Sequence, residues 1–302
     1  MEPQQTSIGR GNTKIDADAP VIRSFGEQWQ QFRHDDDGND ADLRASFEAY
    51  FRIFPWRELP DRAVGADVGC GTGRWARHVA PRVHRLLCFE PSEAIEVARE
   101  SLAAFPNVEC RSARAEALPI DDRSLDFAYC LGVLHHVDDT VGAMRSIVAK
   151  LKPGAPLLLY LYYRLENRPV WYSSLWRMTT PARLVISKLP FGLRYPVSQI
   201  IAAVVYYPLA RAAWSAEKLG MNVTSWPLSI YRNLRFYNMR TDALDRFGTR
   251  VEKRFTRDQI ARMMSSAGLT NIEFSSAAPY WCAVGRRSVA AESGDLTSTA
   301  HQ

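Results

Sequence analysis

Short apolar runs alternate with stretches of helical spacing through the middle of the chain, the rhythm of strands joined by helices. AVGADVGCGTGRWARHVA, Ala63 to Ala80, reads as a short apolar strand ending at an acidic residue, a glycine turn and a helix. VHRLLCFE, Val83 to Glu90, reads as a second strand and closes on a carboxylate about twenty residues beyond that turn. A helix follows in PSEAIEVARESL, where Ser92 can cap and Glu93 and Glu96 lie in the electropositive first turn. NVEC reads as a third strand, and the run from Ser112 to Asp139 contains a fourth. The helix Thr140 to Leu151 is stopped by Pro153 and Gly154, which launch a strand towards Tyr163. Late in the chain, Thr256 to Leu269 is amphipathic, with Thr256 as cap and Gly268 as stop, and TNIEFSSA and APYWCAVGRR read as closing strands. The alternation predicts an α/β chain.

The glycine turn narrows the chemistry. Glycine there permits positive φ and lets a ligand approach the main chain without meeting a Cβ. A dinucleotide fingerprint requires G-x-G-x-x-G, but the third glycine falls one residue early, at Gly73, and Arg74 stands in its place. The P-loop pattern also fails, since no Gly-Lys-Ser/Thr follows. What remains is D-x-G-x-G-x-G, with Asp67, Gly69, Gly71 and Gly73. Glu90 is placed to accept two hydrogen bonds from vicinal ribose hydroxyls.

These residues, together with the AEALPIDDRSLDFAYCLGVLHHV run, resemble the class I S-adenosylmethionine-dependent methyltransferases of small-molecule type. The resemblance implies a Rossmann-like, doubly wound, seven-stranded sheet that is mostly parallel with an antiparallel last strand, and S-adenosylmethionine as cofactor. It implies that Asp67 belongs to the cofactor site, that the loop amides from Gly69 through Cys70 and Gly71 to Gly73 face the methionine portion, and that Glu90, followed by Pro91, holds the ribose. Ala115, Glu116 and neighbours would border the adenine, with Leu131 and Gly132 passing close to the methionine part. One departure is Arg114: the family usually has Asp there, accepting from the adenine amino group, which Arg cannot do. Backbone replaces it, Arg114 stacks on the ring, or cofactor recognition is altered. A Phe25-Gly-x-x-Trp29 element resembles the N-terminal helix that closes over the cofactor in many relatives. Phe25 and Trp29 share a helix face, for packing or for ligand contact.

The expected reaction is in-line methyl transfer to a small, lipophilic or anionic acceptor, with a transferase of another group or a non-catalytic binding protein as alternatives. His135 and His136 are candidate general bases, since imidazole titrates near neutrality; His135 is the preferred one of the two, with a packed, hydrogen-bonded histidine the plainer reading. Tyr160 is expected at the acceptor. Strand alternation would put Tyr160 and Tyr162 on one face and Tyr163 on the other. Arg232, Arg235 and Arg240 are candidate anion ligands, with solvation the plainer reading.

Composition adds limits. A chain of 302 residues with 46% hydrophobic content can bury an α/β core and still carry a subdomain. The expected divisions are polar tails at 1–20 and 289–302, a helical segment at 21–62, a core at 63–163 and 255–288, and a helical cap at 164–254. The run of aspartates after His34 reads as a solvated loop rather than a metal site. The five cysteines lack metal spacing and read as reduced thiols, and with no basic-then-apolar leader the chain is expected to be cytoplasmic. The 164–254 segment holds 15 Arg or Lys against 5 Asp or Glu, and 13 of the 33 aromatic residues. Its uncharged run from Tyr195 to Ala210 is too short to span a bilayer and carries Pro196 and Pro208 at its ends. A buried cap helix is the plain reading, and peripheral contact with an anionic membrane the sharper one. Nucleic acid is disfavoured, because the segment is too apolar for a basic groove.

Overall fold

The computed structural model describes Ile22, Gly26 and residues 40–249 and 252–289. Phe25, Trp29, the aspartate run after His34 and both tails lie outside the described residues.

Seven strands form one sheet: β1 (Val64–Val68), β2 (Arg85–Phe89), β3 (Val108–Arg111), β4 (Phe127–Leu131), β5 (Pro156–Tyr160), β6 (Leu269–Phe274) and β7 (Cys282–Arg287). They are ordered β3-β2-β1-β4-β5-β7-β6, parallel from β3 to β5, with β7 antiparallel to both neighbours. The central strands are apolar on both faces because both are covered, as parallel sheets require. Leu87, Phe89, Ala128 and Leu157 pack with Met144 and Ile147 of α4 (Thr140–Lys150) and with Ile260 and Met264 of α10 (Arg257–Ser266). Leu86, Cys88, Phe127 and Leu158 face the other way, towards Phe47 and Phe51 of α1 (Asp40–Tyr50), Ala76 and Val79 of α2 (Ala76–Val79), and Ile95 and Ala98 of α3 (Ala94–Ser101). Strand order reverses between β1 and β4, and it is outside the carboxyl ends of strands at such a switch that α/β sheets bind ligands.

Caps follow their local chemistry. Asp139 accepts from the Gly142 amide at 2.9 Å at the start of α4, and Thr256 and Gln259 form a capping box on α10. Gly268 then ends α10 at φ +92°.

Between β5 and α10 the chain leaves the sheet and returns. Arg164 donates its amide to the Phe255 carbonyl and Phe255 donates to Tyr162, both at 2.9 Å, so the two legs run side by side. Between them lie α5 (Val170–Met178), α6 (Thr180–Ile186), α7 (Phe191–Ile201), a π turn at Ala202–Tyr206, α8 (Tyr207–Lys218) and α9 (Phe236–Gly248). The prolines do not end the uncharged run: Pro196 lies inside α7, and helical backbone continues to Lys218. Pro208 has no amide for the ladder, and its ring would press on the carbonyl four residues back. The wider π turn just before it absorbs that mismatch.

Candidate active site

A cavity of about 390 Å³ lies at the carboxyl edge of the sheet, with the glycine turn as its floor and the inserted helices as its roof. Gly69, Cys70 and Gly71 line it beneath the β1 end, and Glu90 and Pro91 line it beyond β2. Arg114, Ala115 and Glu116 close one wall after β3, and Leu131 and Gly132 another after β4. Ile22 also reaches it from the N-terminal segment.

Two expected floor residues stand behind the cavity. Asp67 is buried and accepts from the Tyr129 hydroxyl at 2.9 Å, beneath the turn rather than in it. Burial pushes its carboxyl up to about 8; the Tyr129 hydrogen bond opposes this, and the nearby Glu90 charge adds to it. Gly73 serves packing: a Cβ there would fall 2.6 Å from Leu102 Cδ1, so this glycine lets the segment after the turn close on the α3 end.

Glu90 is buried, and its Oε1 accepts from the Ser92 amide at 3.0 Å and the Ser92 hydroxyl at 2.6 Å. Its Oε2 accepts from the Gly71 amide at 3.2 Å, tying the β2 end to the glycine turn. Burial raises its pKa against the pull of those three hydrogen bonds. Cys70 also faces the cavity; the Cys88 thiol beside it pulls its pKa down, but burial prevails and pushes it up to about 12, so this thiol stays protonated.

The roof is aromatic and acidic. Tyr50 and Tyr160 meet edge to face at 5.0 Å, and Tyr206 and Tyr231 line the cavity above them. Asp242 and Asp245, one turn apart on α9, both point into it. The Tyr231 hydroxyl donates to Asp242 at 2.7 Å, and the Tyr162 hydroxyl donates to Asp245. Asp242 is an exposed residue, and its open surface lies towards the cavity beneath the inserted helices. Burial pushes its carboxyl up to about 6, against the Tyr231 hydrogen bond and with help from the Asp245 charge. Arg246 and Arg254 reach the cavity too, but both pair with Glu252, at 3.5 Å and 2.6 Å, and both stack on Trp176.

His135 does not reach the cavity, which corrects its expected role as base. It lies in the 3-10 turn Leu134–His136 with its ring fully buried and stacked on Tyr162 at 3.7 Å. Among the described residues neither ring nitrogen has a hydrogen-bond partner, and burial lowers its pKa, so it is a neutral packing group. His136, one position on, does line the cavity. Tyr160, Tyr162 and Tyr163 all line it as well, because β5 ends at Tyr160 and strand alternation ends with it. Arg232, Arg235 and Arg240 line no part of it; Arg232 binds Glu217 through two nitrogens, at 2.9 Å and 2.8 Å.

The sequence reading missed Tyr50, Tyr231, Asp242 and Asp245. A usable signal was present: two of the five acids in a strongly basic segment stand three apart on one helix face.

Residues 66–159 match the methyltransferase domain family. A tRNA U34 carboxymethyltransferase of Desulfotalea psychrophila is 28% identical over 116 residues, 34% of this chain and 34% of that protein. An uncharacterised methyltransferase-like protein of Schizosaccharomyces pombe is 30% identical over 113 residues, 37% of this chain and 43% of that one. An O-methyltransferase of Aspergillus nomiae is 37% identical over 98 residues, 31% of this chain and 44% of its own length. The chain thus spans less than half the length of each of these curated relatives.

Proposed function

The chain carries a class I S-adenosylmethionine-dependent methyltransferase domain, and from that premise we propose that it methylates a small, largely apolar acceptor bearing a hydroxyl or amine. The observation that carries this reading is a single cavity running from the glycine turn to the tyrosines and carboxylates of the roof.

The residues present fit the cofactor. Glu90 keeps acceptor capacity on Oε2 for a ribose hydroxyl, while Oε1 is shared with Ser92. A Cβ built on Gly132 would meet no atom within 4 Å, so the space before it is open to a ligand. At the Arg114 departure, the side chain lines the cavity and the backbone carbonyl accepts from Ala117 at 3.1 Å.

S-adenosylmethionine supplies a methyl carbon already made electrophilic by its sulfonium, so the protein's tasks are alignment and proton management. In this reading the Gly71 amide and Glu90 fix the floor, and Tyr50 and Tyr160 hold the acceptor against it. Asp242 takes the proton that the acceptor gives up: it faces the cavity, is more basic than an ordinary carboxylate, and is steadied by Tyr231. The aromatic lining favours a lipophilic acceptor. An anionic one finds less support, since Arg246 and Arg254 are engaged by Glu252.

The relatives named as carboxymethyltransferases, with Arg114 at the cavity wall, favour a second reading in which another group is transferred, to tRNA. Incubation with methyl-labelled cofactor and either a metabolite extract or total tRNA separates the two. A small product heavier by one methyl group supports the proposal; label in tRNA alone, or no product in either, sinks it.

Calorimetric titration of S-adenosylmethionine tests the shared premise. Glu90→Ala is expected to bind about ten- to a hundredfold more weakly than the wild type, since charge-assisted hydrogen bonds are lost and the Gly71 amide loses its acceptor. Equal affinities would remove Glu90 from the site.

A further inference from the structure

We propose that the outer face of the helical roof docks on an anionic membrane surface, with α7 and α8 lying along the headgroups. The inference concerns where the protein works and does not depend on which acceptor it methylates.

Among the described residues, every exposed large hydrophobic except Val289 lies between Val170 and Phe236. The helical run from Phe191 to Lys218 is about 40 Å long at 1.5 Å per residue. Its outer positions include Leu193 at 57%, Ile200 at 60% and Val204 at 64% exposure, then Tyr207 and Trp214, with no charged side chain exposed before Lys218. A solvated helix turns its charges outward. This one turns them in: Arg194 is buried and donates to the Gly248 carbonyl at 3.2 Å, and Arg211 donates to those of Arg232 and Leu234 at 2.8 Å and 3.2 Å.

The charges that do face outward are mostly basic. Between residues 164 and 242 the exposed charged side chains are Arg164, Arg177, Lys188, Lys218 and Arg235, against Glu166, which accepts from the Arg257 amide and the Trp281 ring, and Asp242, which lines the cavity. The remaining acid in that span, Glu217, is half-buried and paired with Arg232 at 2.8 Å. Apolar side chains flanked by cations, with Trp and Tyr among them, match the boundary between acyl chains and anionic headgroups. A second copy of the chain is a poorer occupant, because a two-fold contact would set these cations against their own kind. None of the described helices is long and apolar enough to cross a membrane, so the contact proposed is along the surface.

Co-sedimentation of the full chain with vesicles tests this, using phosphatidylcholine alone and phosphatidylcholine mixed with phosphatidylglycerol, at about 0.1 M salt. The wild type is expected to pellet with the anionic vesicles, to stay in solution with the neutral ones, and to be released by added salt. The triple variant Leu193→Glu/Ile200→Glu/Val204→Glu is expected to lose about tenfold or more in vesicle affinity, with an unchanged melting curve because all three side chains are exposed. The proposal is overturned if the wild type stays in solution with anionic vesicles, or if a folded triple variant pellets equally well. It is overturned too if the face instead mediates a dimer, or retains tRNA, in protein that ignores vesicles.

Discussion

Replacing Asp242 with Asn is expected to lower turnover about a hundredfold or more, the range over which a positioned proton acceptor contributes, while S-adenosylmethionine affinity stays within about twofold. The substitution keeps the shape of the side chain and leaves an oxygen to accept from Tyr231, but it cannot take a proton. The pH dependence gives the sharper readout. A carboxyl pushed up to about 6 must be ionised to act as base, so wild-type turnover should fall as pH drops through about 6 and level off above it. In Asp242→Asn that acid limb should disappear. If the variant is slow but keeps the same limb, Asp242 only shapes the cavity and another group takes the proton. Asp245, Tyr231 and Arg74 act on this carboxyl, so the measured midpoint belongs to the cluster.

Asp67→Asn is expected to change how stability depends on pH more than any other single substitution in the core. The folded-state pKa of about 8 stands above the ordinary 3.8, so the folded protein holds a proton that the unfolded chain releases. A raised carboxyl contributes its full stability below the unfolded value and loses it as pH rises through the folded one. Between about pH 4 and pH 8 the slope is about 1.4 kcal/mol per pH unit, one proton's worth. Denaturant unfolding of the wild type at several pH values in that window should therefore show stability falling relative to Asp67→Asn. Other groups titrating in the same range appear in both proteins and cancel in the difference. Parallel curves would mean that Asp67 is ionised in the fold, and that its hydrogen bond from Tyr129 outweighs the cost of burying the charge.

The sheet, its caps and most of the cavity floor were legible in the sequence, because each depends on neighbours in the chain. Apolar runs such as RLLCF and PLLLY fit only a strand covered on both faces. Thr256 with Gln259, and Gly268, mark the ends of α10 by local hydrogen-bonding chemistry. What could not be read depends on distant partners. Gly73 looks like a ligand glycine until Leu102 is found against it. His135 looks like a base until Tyr162, from the far side of α4 in the chain, is found stacked over it. Tyr50 and Asp242 are separated by nearly two hundred residues and share a cavity only because the inserted helices fold back over the sheet edge. Pro196 misled for a different reason: it lies inside α7, and the helix continues past it although one amide of the ladder is missing there.

The side-by-side legs at Tyr163 and Phe255 carry a consequence for how such a protein can diversify. Because the chain departs and returns at hydrogen-bonded neighbours, the whole roof is, to the sheet, one loop closed at a fixed gap. The cost of closing such a loop grows only with the logarithm of its length. A shorter turn or a different set of helices could occupy the same gap without shifting any strand register. The part of the cavity wall that the roof supplies can thus be rewritten while the glycine turn, Glu90 and the sheet stand unchanged.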